Sequence, residues 1–449
     1  MTNRGDGVPP VTEGDTNLTP GRRAWTDALD PETRELLEDD AEFFLHQSLS
    51  TPCLDAIERA EGAELIDVSG RRILDFHGNS VHQLGHGHPA VIAAIKAQLD
   101  TLSFSPRRYT NRPAIALARR LVELAPDPLG KVLFAPSGAA AIGMALKLAR
   151  IATGRHKTIS MWDSFHGANL DAISVGGEGL FRRGVGPLLP GSEHVPPLDQ
   201  AERFFGEGAG AFERLADYIG YILATEGDVA AVIAEPMRWT TVMPAPEGFW
   251  PQVKTHCERH GALLVFDEIP SCLGRTGTMF ACEQVGAVPD MLVIGKGLGG
   301  GIMPMAALIA RRDLDVAGDV AIGHYTHEKS PVGAAAALAA LDVIATDDLV
   351  ARARELGAHG LTRLNQIAAS HKALGAVRGL GLYFGVEVKG KNAVDAAERA
   401  DRILYAALER GLSFKIGGGN IVTLCPPLTI EIEQLDRAFA ILAEAVRAA

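Results

Sequence analysis

No run in this 449-residue chain reaches the roughly 18 consecutive uncharged apolar residues that a membrane-spanning helix requires. Even its most apolar stretch, Met291 to Pro304 (MLVIGKGLGGGIMP), is broken by Lys296 and several glycines. A membrane span is therefore excluded and a soluble protein expected. Paired cysteines are missing too. Cys53, Cys257, Cys272, Cys282 and Cys425 are scattered without a CxxC or a Cys/His ligand spacing, which predicts reduced thiols in a cytoplasmic enzyme and no structural metal. There is no basic excess: the formal net charge is −12, with acidic residues spread along the chain, which argues against a nucleic-acid partner. The first residues carry neither an apolar signal core nor an Arg/Ser-rich transit pattern, and residues 1–40 read as a loose arm. No internal repeat and no appended DNA-binding helix pair are found.

What is present is alternation. From about Lys131 to Arg311, short β-rich runs (KVLFAP, KTISMW, VAAVIAEP, ALLVFDEI, MLVIGK, PMAALIAR) are interleaved with longer helical patterns such as AAIGMALKLARIATG and WPQVKTHCERHG. This indicates an α/β fold with βαβ crossovers and a parallel sheet covered on both faces. Ligands of such sheets sit beyond the carboxyl ends of the strands, so the residues closing those runs form one candidate set. They are Pro136 to Gly138, Trp162 to Gly167, Glu235, Asp267 and Lys296. Residues 41–95 and 341–449 have a different texture, short strands among amphipathic helices, and are expected to form a smaller α+β domain around the large domain of residues 96–340.

A lysine ending an apolar strand either snorkels to water or has a chemical task. In a Gly-rich turn its amine is well placed to form a Schiff base, because burial lowers its pKa and small neighbours leave room for a ring. Lysine-linked pyridoxal phosphate is the natural candidate, and it demands an acidic partner for the pyridine nitrogen. Asp267, ending the strand in FDEI, supplies one, whereas Glu268 more plausibly faces a structural partner. A phosphate needs backbone N–H donors, and APSGAAAIGMALKLAR offers a strand, a small-residue turn at Ser137 and Gly138, and a helix start. Phe165 in WDSFHG can supply a flat apolar face; as an isolated aromatic it would belong to the core.

The order SGxxA, FHG, EP, FDEI with GRTG, IGKGLGGGIMP, YTHEKSP and PPLTI resembles the class III aminotransferases of the fold-type I pyridoxal-phosphate enzymes, from about Ala41 to the C-terminus. The resemblance implies a mostly parallel seven-stranded sheet in the large domain. It makes Lys296 the Schiff-base lysine and proton shuttle, and Asp267 the partner of the pyridine nitrogen. Ser137, Gly138 and Ala139 hold the phosphate, Phe165 stacks on the ring, and Glu235 lies near Asp267. Thr326 in GHYTHEKSP reaches the phosphate of the neighbouring subunit's cofactor, so a homodimer with active sites at the subunit interface is implied.

Departures from the family pattern are informative. Common members bind amino-acid carboxylates with an arginine three residues before the PP of PPL, where NIVTLCPPL has Thr423. The glutamate that shields it should fall five residues after the EP glutamate, where EPMRWT has Thr240. Cofactor contacts change as well: Pro270 stands for a glutamine, Ala140 for a glutamate, and Ala139 lacks a hydroxyl. FSPRRYTN places Arg107 and Arg108 in the segment that, in the family it resembles, returns toward the active site, and arginine suits bidentate recognition of a phosphate or phosphonate. A solvated charge pair is the alternative for both, and Arg238 and Lys415 are weaker candidates. FHGNSVHQLGHGHP, with Asn79 as a further substrate-binding candidate, and RRYTN look most like the lyase branch of the family. Its members act on ethanolamine phosphate or 1-hydroxy-2-aminoethylphosphonate. The implied activity is an ammonia-lyase of phosphonate catabolism that eliminates the β-hydroxyl of (R)-1-hydroxy-2-aminoethylphosphonate. An ω-aminotransferase using pyruvate and a phospho-lyase acting on O-phosphoethanolamine remain as alternatives, and a non-catalytic cofactor-binding protein finds no support.

Overall fold

The structure is a computed structural model that describes residues 19–449 apart from residues 49, 52 and 209; residues 1–18 of the expected arm lie outside the described residues. It divides into two compact units, one comprising the described residues up to Gly87, Thr240–Val242 and Arg352–Ala449, the other His88–Trp239 and Met243–Ala351. Among the described residues no helix is long and apolar enough to cross a membrane.

The second unit holds a seven-stranded sheet. Its strands are β1 (Leu129–Ala135), β2 (Lys157–Met161), β3 (Ser192–Val195), β4 (Val229–Ala234), β5 (Leu263–Asp267), β6 (Met291–Ile294) and β7 (Ala306–Arg311), arranged in space as β1-β7-β6-β5-β4-β2-β3. All neighbouring pairs run parallel except those made by β7, which is antiparallel to both β6 and β1. The central strands are buried along their whole length, as uninterrupted apolar runs such as VAAVIA and LLVF require of a sheet covered on both faces. Helix α1 (Gly138–Thr153) packs on this sheet through small residues, with Ala141, Met144, Ala145 and Ala149 fully buried. Its start is fixed by Ser137, whose hydroxyl accepts the Ala140 N–H, and its end by left-handed Gly154. Register decides what meets what: Asp267 of β5 lies opposite Val293 of β6, so Asp267 and Lys296 leave the sheet at the same end from neighbouring strands.

The first unit is α+β, with two four-stranded sheets and the long helices Ala393–Glu409 and Ile432–Ala448. Within the part of the chain read as an arm, Pro20–Ala28 and Pro31–Phe43 are helices; Thr19 and Asp30 cap them, each followed by a proline at the first helical position. Trp25 anchors the first helix: its indole N–H donates to the Leu54 carbonyl, and the Arg71 guanidinium lies 4.6 Å over its ring. Asp75 ends the strand Arg72–Asp75, and its carboxylate accepts the N–H groups of His77 and Gly78. That grip holds the next turn, where Gly78, Asn79 and Ser80 all have φ between 44° and 59°. Asn79 sits exposed at its tip.

Candidate active site

Five segments of the second unit converge at the carboxyl ends of its strands. After β5, Asp267 is buried, and His166 Nδ1 lies 2.8 Å from its Oδ2 while the Ile269 N–H donates to Oδ1 at 3.1 Å. With a carboxylate opposite, the Nδ1 atom is the one that carries the proton. The Nε2 atom of the same ring is buried with no hydrogen-bond partner. After β4, Glu235 is buried and accepts the Trp239 N–H at 2.6 Å. Burial pushes its carboxyl above the ordinary range; His166 and Arg238 oppose this, and the Asp267 charge adds to it.

After β6 the chain enters a short 3-10 turn, Lys296–Gly299, with Lys296 at φ 47°. Such a conformation is uncommon for a residue with a side chain and persists where the surroundings over-determine it. Lys296 Nζ lies 5.3 Å from the centroid of the Trp239 ring. After β1 comes the start of α1, where the helix leaves the N–H groups of Gly138 and Ala139 without intrahelical acceptors. Close approach keeps these pieces together. A Cβ on Gly138 would stand 2.6 Å from Ile269 Cδ1, and one on Gly167, at φ 124°, would stand 2.5 Å from the Ala139 Cβ. The glycine of FHG thus lets the Phe165 segment pack directly on the start of α1. Phe165 itself is partly buried, its ring 4.4 Å from that of Phe181.

Glu268 points elsewhere. It is fully buried and its carboxylate accepts the N–H groups of Ala281 and Cys282, with burial raising its pKa to about 7. Arg238 holds structure as well, donating to the carbonyls of Trp162 and Asp163 and pairing with Asp199.

A family model described as aminotransferase class III matches residues 46–446. The chain belongs to that family. It is 42% identical, over 97% of its length and 95% of the relative's, to the (R)-1-hydroxy-2-aminoethylphosphonate ammonia-lyase of Vibrio splendidus. It is 36% identical, over 86% and 93%, to the acetylornithine aminotransferase of Methanopyrus kandleri. Among solved structures, a Bacillus anthracis aminotransferase superposes with a TM-score of 0.85 at 27% identity, covering 94% of this chain and all of the other. An amine transaminase from an uncultivated Pseudomonas species, solved with PLP bound, gives 0.84 at 30%, covering 90% and 98%. As a class III aminotransferase, the protein is a pyridoxal-phosphate-dependent enzyme of fold type I.

The residues present fit that cofactor. A carboxylate anchored by a buried imidazole, a lysine on the adjacent strand end, free N–H groups at the start of a 16-residue helix and a partly buried aromatic ring meet at one end of the sheet. The remaining candidates belong to other segments. Arg107 pairs with Glu328 at 3.7 Å, the Phe104 and His327 rings meet edge-on at 5.2 Å, and Asn111 donates to the Lys329 carbonyl. Arg107 and exposed Arg108 therefore belong to a segment laid against the loop that carries exposed Thr326. Asn79, Thr240 and Thr423 belong to the first unit, where both threonines are buried. Sequence reasoning gave no role to His166, although it lies in the candidate range Trp162 to Gly167, and did not single out Trp239. His166 stands inside the FHG motif but 101 residues from Asp267, a separation that no spacing rule bridges. Trp239 stands inside EPMRWT; a large aromatic straight after the EP strand end was the available signal.

Proposed function

We propose that the enzyme is an ammonia-lyase converting (R)-1-hydroxy-2-aminoethylphosphonate to phosphonoacetaldehyde and ammonia. The observation that carries this reading is the near full-length match to the Vibrio splendidus ammonia-lyase. Thr423 and Thr240 support it. Both are neutral and buried where amino-acid aminotransferases of the family carry the carboxylate-binding arginine and its glutamate.

Pyridoxal phosphate, when bound, supplies the electron sink. Lys296 would hold the cofactor, accept the proton from the amine-bearing carbon and deliver it to the departing hydroxyl. Asp267, held by His166, sets the protonated state of the pyridine nitrogen, and Glu235 buttresses the same end of the sheet. Ser137, Gly138 and Ala139 hold the phosphate on the start of α1, and Phe165 covers one ring face. Thr326 reaches the phosphate of the partner subunit's cofactor in a homodimer. Arg107, Arg108 and Asn79 receive the substrate, the arginines taking the retained phosphonate. The balance is simple: the C–H proton and the β-hydroxyl leave as water, and one water returns in hydrolysis. Substrate thus equals aldehyde plus ammonia, with no keto acid consumed.

The deciding experiment measures ammonia and aldehyde over many turnovers without a keto acid, with O-phosphoethanolamine and 2-aminoethylphosphonate in parallel. The transaminases among the structural relatives favour one other reading, an ω-aminotransferase. Turnover that stops after one equivalent until pyruvate is added would establish that reading, and reaction of O-phosphoethanolamine alone would establish a phospho-lyase.

A further inference from the structure

The indole of Trp239 is nine-tenths buried with its face toward Lys296 Nζ, 5.3 Å from ring centroid to nitrogen. Its place is enforced from both sides. The Trp239 N–H is tied to the Glu235 carboxylate at 2.6 Å. The preceding Arg238 pairs with Met243 across a two-stranded ladder and is bound to Trp162, Asp163 and Asp199. Lys296, in turn, is held at positive φ in a turn lined by glycines. The backbones of both residues are thus held, and from them the indole and the amine face one another.

Several elements bring ionisable groups toward the Lys296 turn, and the Lys296 charge acts on one of them, Cys272. Asp267 on β5 holds His166 and the Ile269 N–H, and Glu235 after β4 holds Trp239. Cys272, beyond β5, lies over the Ile269 carbonyl, its thiol pushed up to about 12 by burial. Of the elements packed on the turn, the helix Pro331–Thr346 brings Asp342, which is exposed, and β7 brings Arg311 at its far end, paired with Asp290.

We propose that Trp239 is a positioning residue for Lys296, its indole face holding the lysine nitrogen in its protonated state and on one side of the site. A cation over an indole is attracted by the ring quadrupole, and the attraction strengthens when water is excluded. The moment that matters is proton removal, when the C–H proton passes to Nζ and a positive charge appears on a buried nitrogen. The proposal rests on Lys296 as the cofactor lysine and not on which reaction follows.

The test uses the holoenzyme without substrate. Visible absorbance is titrated to find the pH at which the cofactor-linked Lys296 nitrogen loses its proton. In Trp239→Leu that pH is expected to fall by about 0.4 to 1.5 units, and in Trp239→Phe by less, the measured range of such interactions. In turnover, kcat falls roughly 2-fold to 30-fold with KM unchanged. Fluorinated tryptophan, which weakens the ring quadrupole at nearly constant shape, covers the case in which Trp239→Leu misfolds. The titration is expected to shift step by step with fluorine number, and not at all in a Trp239→Phe background. Borohydride reduction and mass spectrometry accompany each titration. Cofactor on another lysine overturns the site assignment and this proposal with it; cofactor on Lys296 with an unmoved titration in the fluorinated protein overturns this proposal alone.

Discussion

Replacing His166 with leucine removes the hydrogen bond that orients the Asp267 carboxylate while nearly conserving volume. The bond is 2.8 Å long, and its side chains are 0% and 3% exposed, so water cannot take the vacated place. Asp267 keeps the Ile269 N–H as its other close donor. A hydrogen bond to a charged group contributes about 1.5 to 3 kcal/mol, and 1.36 kcal/mol is a factor of ten. The loss is therefore expected as a roughly tenfold to 150-fold weaker grip on the cofactor, with a comparable fall in kcat. His166→Asn, whose amide nitrogen falls near the position of Nδ1, is expected to recover most of it. Cofactor dissociation constants from fluorescence and single-turnover rates measure both. If His166→Leu holds cofactor and turns over like the parent, or if His166→Asn fails as badly while melting normally, Asp267 does not depend on this imidazole.

Gly167→Ala puts a methyl group 2.5 Å from the Ala139 Cβ at φ 124°, so cofactor affinity and Tm should both fall, the strain amounting to about 1–3 kcal/mol; a Tm unchanged by calorimetry would show the loop yielding freely. Arg108→Ala should raise KM for the phosphonate amine roughly tenfold to a hundredfold relative to an uncharged amine of similar size, whereas Arg107→Ala, whose guanidinium already faces Glu328, should do less. Equal effects of Arg108→Ala on both amines would make it structural. Glu268 has a folded pKa of about 7 against an ordinary 4.5, so the folded state binds the extra proton and this group's contribution to stability falls as pH rises through that window. Denaturant melts should show the decline in the parent and a flatter profile in Glu268→Gln; parallel profiles would refute it.

Much of this was readable in the chain because parallel sheets collect their chemistry at strand ends. FDEI and MLVIGK announce buried strands that stop at Asp267 and Lys296, and only a cofactor gives both a reason to be there. The alternation of strands and helices likewise foretells the sheet. Its spatial order, with antiparallel β7 inserted between β1 and β6, is set by long-range pairing and leaves no local trace. The same holds for His166 on Asp267 and for Trp239 over Lys296, where the partners meet only once the sheet has formed. Thr240–Val242, three residues that join the first unit from the middle of the second, carry no composition shift. The helices Pro20–Ala28 and Pro31–Phe43 were legible in principle, since Thr-Pro and Asp-Pro are helix starts, but a polar, Gly- and Pro-rich context masked them.

The insertion of β7 also sets a timetable for the growing polypeptide. Ala135, at the end of β1, has its ladder partner in Ala306, about 170 residues further on. At about 5–20 residues per second, a ribosome takes roughly ten to thirty seconds to deliver that partner. Through that interval KVLFA is an apolar strand with no ladder, the kind of edge on which nascent chains associate. The turn at Ser137 and Gly138 that follows it waits for as long. Biogenesis of this enzyme is thus exposed to aggregation in one defined window, which closes only when residues 306–311 emerge.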